Sequence, residues 1–178
     1  MKKRILALAL TASALLVGCG ESGVKVDPNK SKYTVGICQL VKHNALDAAT
    51  KGFQDALYEQ FSNIDIEVKD ASGESANCSI IANGFVTDGK DLILAVATPA
   101  LQAAYAATGD IPILGTAITE YGVALGIDNF NGLTGCNVSG TSDLAPLDQQ
   151  AQIVKDWFPN AKTVGLLFCS SEANSIFQ

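Results

Sequence analysis

The chain has 178 residues, 48% of them apolar, with 12 basic and 18 acidic side chains and a formal net charge of −6. An acidic balance argues against nucleic acid as a partner, because phosphates call for a basic face. Arg4 is the sole arginine, so elsewhere an anion must be met by backbone N–H groups, hydroxyls or lysine.

Lys2, Lys3 and Arg4 precede an apolar run over residues 5–17, which at 13 residues has the layout of a secretory signal. A membrane-spanning helix needs roughly 20. Leu16-Val17-Gly18-Cys19 resembles a bacterial lipobox, in which a small residue admits a peptidase and the new N-terminal thiol takes the lipid. That resemblance implies a signal peptide over residues 1–18 and acyl chains, such as palmitate, on Cys19. The protein would then sit on the extracytoplasmic face of the cell membrane, since two or more chains anchor where one is marginal. An ordinary cleaved signal with an incidental Cys19 is the competing reading. Without residues 1–18 the balance sharpens to nine basic against 18 acidic side chains. Residues 19–31, with Gly23, Pro28 and Asn29, read as a flexible tether.

From Lys32 onward apolar runs alternate with segments of helical period. Residues 33–38 predict a strand, and 45–61 a helix with Leu46, Ala49, Phe53, Leu57 and Phe61 on one stripe. Residues 64–68 predict the next strand, Ala71-Ser72-Gly73 a turn, and 75–86 a helix burying Cys78, Ile81, Ala82 and Phe85. The run 91–97 suits a strand covered on both faces of a parallel sheet. Thr98 as N-cap and Pro99 at the first helical position then open an Ala-rich helix over 100–107. A further strand covers 111–115. Strands joined by helices of this length make right-handed crossovers, so the fold class is α/β, a doubly wound parallel sheet.

After Gly122 the pattern loosens into short strand-like pieces among Gly126, Gly132, Gly135 and Gly140. Residues 146–158 restore a helix with Leu147, Ala151, Val154 and Phe158 on one face, and Trp157 packed on it. Residues 162–168 predict another strand, and Lys162-Thr163-Val164-Gly165-Leu166 repeats the pattern of Lys32-Tyr33-Thr34-Val35-Gly36-Ile37. Residues 32–140 thus read as an N-terminal lobe, and 141–178 as the crossover and truncated start of a second, similar lobe.

Ligands of open parallel sheets bind outside the carboxyl ends of the strands. Gln39, His43 and Asn44 stand there after the first strand, Thr98, Pro99 and Ala100 after the third, and Thr116 and Ala117 after the fourth. Ser170, Ser171, Glu172 and Asn174 follow the second-lobe strand. The turns at 98–101 and 170–173 are natural carboxylate cradles, and Glu172 or Asp143 could meet an amine. Each residue also has a plainer role: Thr98 as a cap, His43 as a solvated loop residue, Asp143 and Glu172 as surface or capping acids. Cys38, Cys78, Cys136 and Cys169 lack metal-ligand spacing and read as free thiols, with one disulfide as the alternative. No cofactor or metal is expected. Phosphate-binding glycine signatures and a G-x-S-x-G elbow are absent, so binding without chemistry is preferred to a hydrolase built on Ser142, Asp143 and His43.

Val35-Gly36-Ile37, Gln39-Leu40-Val41, Asn44-Ala45-Leu46-Asp47-Ala48-Ala49 and Lys51-Gly52-Phe53 are similar to the opening of ABC-transporter substrate-binding lipoproteins of the tryptophan/tyrosine type. The run from Asp91 to Ala100, the segment Asn137-Val138-Ser139-Gly140-Thr141-Ser142-Asp143-Leu144 and Ser170-Ser171-Glu172-Ala173-Asn174-Ser175 extend the resemblance. It implies a type I periplasmic-binding-protein-like fold with a complete first lobe and only the start of the second. It also implies a hinged, non-enzymatic protein that closes on an amino acid or similar small carboxylate and delivers it to an ABC permease and ATPase. An exported bilobal lipoprotein that senses or adheres through a membrane partner is the alternative.

Overall fold

The computed structural model describes residues 30–170, 172, 174 and 175. The signal, the lipobox with Cys19, nearly all of the tether, and Ser171 lie outside the described residues.

Strand β1 (Tyr33–Gln39) leads into helix α1 (Asn44–Gln60), then β2 (Ile64–Asp70), α2 (Ser75–Thr87), β3 (Leu92–Val96), α3 (Thr98–Ala107) and β4 (Ile113–Ile118). Helix α4 (Tyr121–Leu125), strand β5 (Val138–Ser142) and helix α5 (Leu147–Trp157) complete the order. The five strands form one parallel sheet ordered β2-β1-β3-β4-β5.

Period-two alternation in the central strands divides the core. Val35, Ile37, Leu94 and Val96 turn to one face, against Leu46, Phe53 and Leu57 of α1. Cys38, Ile93 and Ala95 turn to the other, against Cys78, Ala82 and Phe85 of α2, Leu101 and Ala104 of α3, and Ala124 of α4. With both faces covered, the doubly wound α/β sheet is as the alternation predicts. Each fully buried Ile, Leu or Phe contributes about 1.5–3 kcal/mol.

The sequence pattern departs from the structure at several places. Strand β4 begins at Ile113 rather than residue 111, because Pro112 has no N–H for a ladder and spends its carbonyl on the Ile93 amide. Phe61 caps α1 and is exposed rather than ending its buried stripe. Helix α4 is too short for periodicity to reveal, and β5, Val-Ser-Gly-Thr-Ser, lacks an apolar run. Helix α5 forms but buries no residue, and Trp157 is 76% exposed instead of packed. Residues 162–168 are not a strand, and Val164, Leu166, Leu167 and Phe168 are exposed. A parallel strand needs a neighbour for its backbone groups, and among the described residues none pairs with this segment.

Candidate ligand-binding site

The chain runs from β1 out to β2 on one side and returns through α2 to β3 on the other. The crevice expected of such a reversal therefore lies at the carboxyl ends of β1 and β3. Register aligns Asp70, Gln39, Val96 and Thr116 in one row across β2, β1, β3 and β4. Sequence-predicted residues after β1, β3 and β4 thus stand along one edge.

Ala97 leaves β3 at φ 82 and ψ 156, a region that costs a residue with a Cβ about 1–3 kcal/mol. That turn makes Ala97 the cap of α3, so Thr98 is the first helical residue and not the N-cap the sequence predicts. The Thr98 side chain is 3% exposed, and its Oγ1 has no partner among the described residues. A buried hydroxyl left unpaired costs about 1–3 kcal/mol and calls for an explanation. Pro99 lacks an N–H, and the amides of Ala100 and Leu101 both return to the Ala97 carbonyl at 3.1 Å. The cradle at 98–101 is accordingly narrower than expected and centres on Thr98.

The end of β4 is re-aimed in a different way. Gly115 pairs with Gly140 and Ile118 with Ser142, so β4 carries one residue more than β5 between these pairs. Such a bulge kinks a strand and redirects its side chains. Thr116 and Ala117 occupy it, with Ala117 in the left-handed region at φ 56. Tyr121 braces the bulge from α4, its hydroxyl 3.0 Å from the Gly115 carbonyl and 3.2 Å from that of Thr141. Burial, then the Asp143 charge, pushes the Tyr121 phenol up to about 12. The approach is close enough to require glycine at 140: a Cβ there would overlap the Gly115 carbonyl and the Tyr121 hydroxyl, at a φ of 148. Glu120 accepts from the Val123 amide at 2.6 Å and caps α4.

At β1 the amide of Gln39 is fully engaged. Its Nε2 donates to Asp47 Oδ1 at 2.6 Å and to the Val41 carbonyl at 2.9 Å, and its Oε1 accepts from the Thr50 hydroxyl at 2.6 Å. Gln39, expected as a ligand contact, therefore positions α1 against the sheet. Sequence reasoning missed Asp47 and Thr50, although their spacing of three on the helix beginning at Asn44 puts both on one face. His43 is the N-cap of α1: its Nδ1 accepts from the Ala45 amide at 3.3 Å, and the ring is exposed. Asn44 is exposed on the first turn.

Two concavities flank this edge, and neither includes Thr98. One of about 250 Å³ lies among Gln39, Lys42, Asp47, Thr50, Val68 and Asp70, where Asp70 Oδ2 is buried without a partner among the described residues. The other, of about 430 Å³, is lined by residues of α4 and its following loop, including Glu120, Asp128 and Phe130. Thr98 and the β4 bulge, outside either concavity, form the candidate site. There backbone strain, an orphan hydroxyl and the topological crevice coincide.

Asp143 is exposed just beyond β5, its amide donating to the Ile118 carbonyl at 3.0 Å. Ser170 is exposed, Glu172 and Asn174 are half-buried, and Asn174 Oδ1 is buried without a partner among the described residues. Among the described residues no hydrogen bond joins these three to the ends of β1, β3 or β4. The hydrolase grouping is not assembled. His43 follows β1 and Ser142 ends β5, three strand spacings of about 4.8 Å apart, and Ser142 donates to the Thr119 carbonyl at 2.8 Å.

Comparison with known proteins places this geometry. Residues 34–178 match the model of the family described as ABC transporter substrate binding protein. A tyrosine-binding protein of Clostridioides difficile strain R20291 is 40% identical over 190 residues, covering 99% of this chain and 55% of the relative. An ABC domain from Streptococcus pneumonia, solved in complex with L-Trp, superposes with a TM-score of 0.75 at 35% identity, over 83% of this chain and 50% of that one. A ligand-free, open substrate-binding protein with adhesive properties from Clostridium difficile is 42% identical, with a TM-score of 0.65, over 82% of this chain and 50% of that one. The chain spans about half the length of the relatives it matches.

Proposed function

Because the chain belongs to the family of ABC transporter substrate-binding proteins, we propose that its strand-end edge forms one wall of a cleft that captures an amino acid. An aromatic one, tyrosine or tryptophan, fits best, and import through a partner permease and ATPase is its purpose. The observation that carries this reading is Thr98, a buried hydroxyl at the start of a helix with no partner among the described residues. A ligand carboxylate accepting from Thr98 would remove the desolvation cost of that orphan and gain from the helix N-terminus. Thr116 and the bulged backbone at Ala117 lie beside it, and Asp143, or Glu172 from the opposite wall, would meet the ligand ammonium. The tyrosine-binding relative and the L-Trp complex support this ligand class.

Cys19, lipidated at the extracytoplasmic face, would hold the cleft within reach of the permease. Labelling with a palmitate analogue tests this: Cys19→Ser should abolish incorporation, and retained label would refute the anchor. Calorimetric titration of the full-length protein tests the ligand class. Micromolar or tighter binding of L-tyrosine or L-tryptophan, and none of glutamate or lysine, is the expected result. No heat with either aromatic amino acid would overturn the reading.

The solved relative with adhesive properties favours a second reading, in which the exported lobe also binds a surface partner. Deleting the permease gene separates the two: transport fails in either case, whereas attachment of cells persists only if adhesion is a separate property.

A further inference from the structure

We propose that Asn131 is a site of spontaneous covalent modification, at which the backbone nitrogen of Gly132 displaces the side-chain amide and leaves aspartate or isoaspartate. This is independent of what the cleft binds. Asparagine followed by glycine occurs twice in the chain, at Asn83-Gly84 and at Asn131-Gly132. Asparagine is thermolabile. Glycine, lacking a Cβ, leaves its nitrogen open to attack the carbonyl carbon of the side chain before it. The two pairs share this chemistry, and the fold separates them.

Asn131 and Gly132 are exposed in the loop between α4 and β5. The Asn131 side chain points forward along the chain, its Oδ1 accepting from the Leu133 amide at 3.2 Å. Because that bond spans Gly132, it folds the side-chain carbonyl over the Gly132 nitrogen. It also sets a donor on the oxygen where negative charge develops during attack. Among the described residues the Gly132 amide has no hydrogen-bond partner, and nothing lies within 4 Å of the place a Cβ would take there.

Asn83 lies inside α2, where side chains tilt back toward the helix N-terminus. Its Nδ2 accordingly donates to the Ser79 carbonyl at 2.7 Å, one turn behind and away from the Gly84 nitrogen. That nitrogen belongs to the helical ladder, so reaction at Asn83 requires α2 to open first.

The step needs only water. Hydroxide takes the Gly132 amide proton, and the nitrogen bonds to the Asn131 side-chain carbonyl carbon. The Nδ2 group takes a proton and leaves as ammonia, closing a succinimide. Water then adds to one of the two ring carbonyls and opens it, giving aspartate, or isoaspartate when the main chain is left running through Cβ. One water is consumed overall, one ammonia is released, and nothing is oxidised or reduced. Either product adds a carboxylate to the loop that carries Asp128, beside the concavity that Glu120 also lines. Isoaspartate further lengthens the backbone next to Phe130, whose Cβ lies 2.6 Å from where a Cβ on Gly122 would stand. The packing of this loop on α4, and through it the seat of Tyr121, would be disturbed.

The test incubates the full chain in mildly alkaline buffer, with and without urea, and follows both asparagines by tryptic mapping and fragmentation. They fall in different peptides, 70–90 and 91–155, because no lysine or arginine lies between Lys69 and Lys90 or between Lys90 and Lys155. In the native protein Asn131 should lose its amide at least about tenfold faster than Asn83, and in urea the ratio should fall to about one. Isoaspartate should appear among the products, since direct hydrolysis of the amide gives only aspartate. Asn131→Gln, which would have to close a larger ring, should abolish the fast conversion of peptide 91–155. Equal native rates, aspartate as the sole product, or fast conversion persisting in Asn131→Gln would overturn the proposal.

Discussion

The Thr50 hydroxyl donates to Gln39 Oε1 at 2.6 Å, with the two residues 5% and 4% exposed, so the end of β1 and the second turn of α1 share a buried polar clamp. Asp47 completes it by accepting from Gln39 Nε2. Gln39→Met keeps the volume but leaves a buried hydroxyl and a carboxylate without their partner. It should cost about 2–3 kcal/mol, and Thr50→Val about 1 kcal/mol, in urea denaturation. Equal stability of Gln39→Met and the parent would show that the clamp carries no net energy.

Tyr121 ties stability to alkaline pH. Its folded value, about 12, lies above the ordinary 10 of a tyrosine because burial disfavours the phenolate. The folded state therefore holds this proton more tightly than the unfolded chain does. Its contribution is complete below about pH 10 and is lost as the pH rises toward 12. Tyr121→Phe should lower stability near neutral pH by about 1–2 kcal/mol, through loss of the bond across the bulge. It should also flatten the decline between about pH 10 and 12. An unchanged slope in pH-dependent denaturation would contradict this role.

Gly140→Ala should be among the most damaging single changes in the lobe. The new methyl would overlap the Gly115 carbonyl and the Tyr121 hydroxyl, and the backbone at φ 148 is strained for any side chain. A loss of about 3 kcal/mol or more is expected. Gly52→Ala, on the exposed side of α1 with open space around it, should instead be neutral or stabilise by up to about 1 kcal/mol. Similar thermal midpoints for the two variants would rule out the close approach.

Asp91 governs the acid side. Burial alone would raise its carboxyl, but the bonds from Lys30, the Thr34 amide at 2.8 Å and the Thr34 hydroxyl at 3.0 Å outweigh that and hold it below the usual range. A lowered folded value gives stability that is present above the unfolded value near 4 and is lost as pH falls through the folded one. Asp91→Asn should cost about 1 kcal/mol at pH 7 and nothing measurable at pH 2, by chemical denaturation at both values. An equal cost at both pH values would point to packing instead of charge.

The alternation of strands and helices was legible because each central strand is a short apolar run and each covering helix has a 3.6-residue period. What periodicity cannot show is what side chains do at strand ends. Gln39 reads as a ligand contact because it is polar and follows the first strand, yet it is buried with its amide engaged in three bonds. Thr98-Pro reads as cap plus first helical residue, but the fold places the unusual turn one residue earlier, at Ala97, a residue with no intrinsic preference for it. Strand β5 was hidden because its partner β4 supplies the apolar side, while Ser139, Gly140, Thr141 and Ser142 are exposed. Residues 162–168 have the composition of a strand but, among the described residues, no ladder to join. Of the expected site residues, Thr98, Pro99, Ala100, Thr116 and Ala117 do come together along adjacent strand ends.

The most direct test of the central claim is to titrate L-tyrosine and L-tryptophan calorimetrically into the full-length protein and its Thr98→Val variant, with thermal midpoints measured in parallel. Valine matches the shape of threonine and removes a hydroxyl that no group among the described residues uses, so the midpoint should hold or rise slightly. Affinity should fall about tenfold or more, the loss of roughly 1.4 kcal/mol expected for a hydrogen bond to a charged carboxylate. Unchanged affinity in Thr98→Val, or a midpoint that drops in step with it, would contradict the assignment of Thr98 to the ligand.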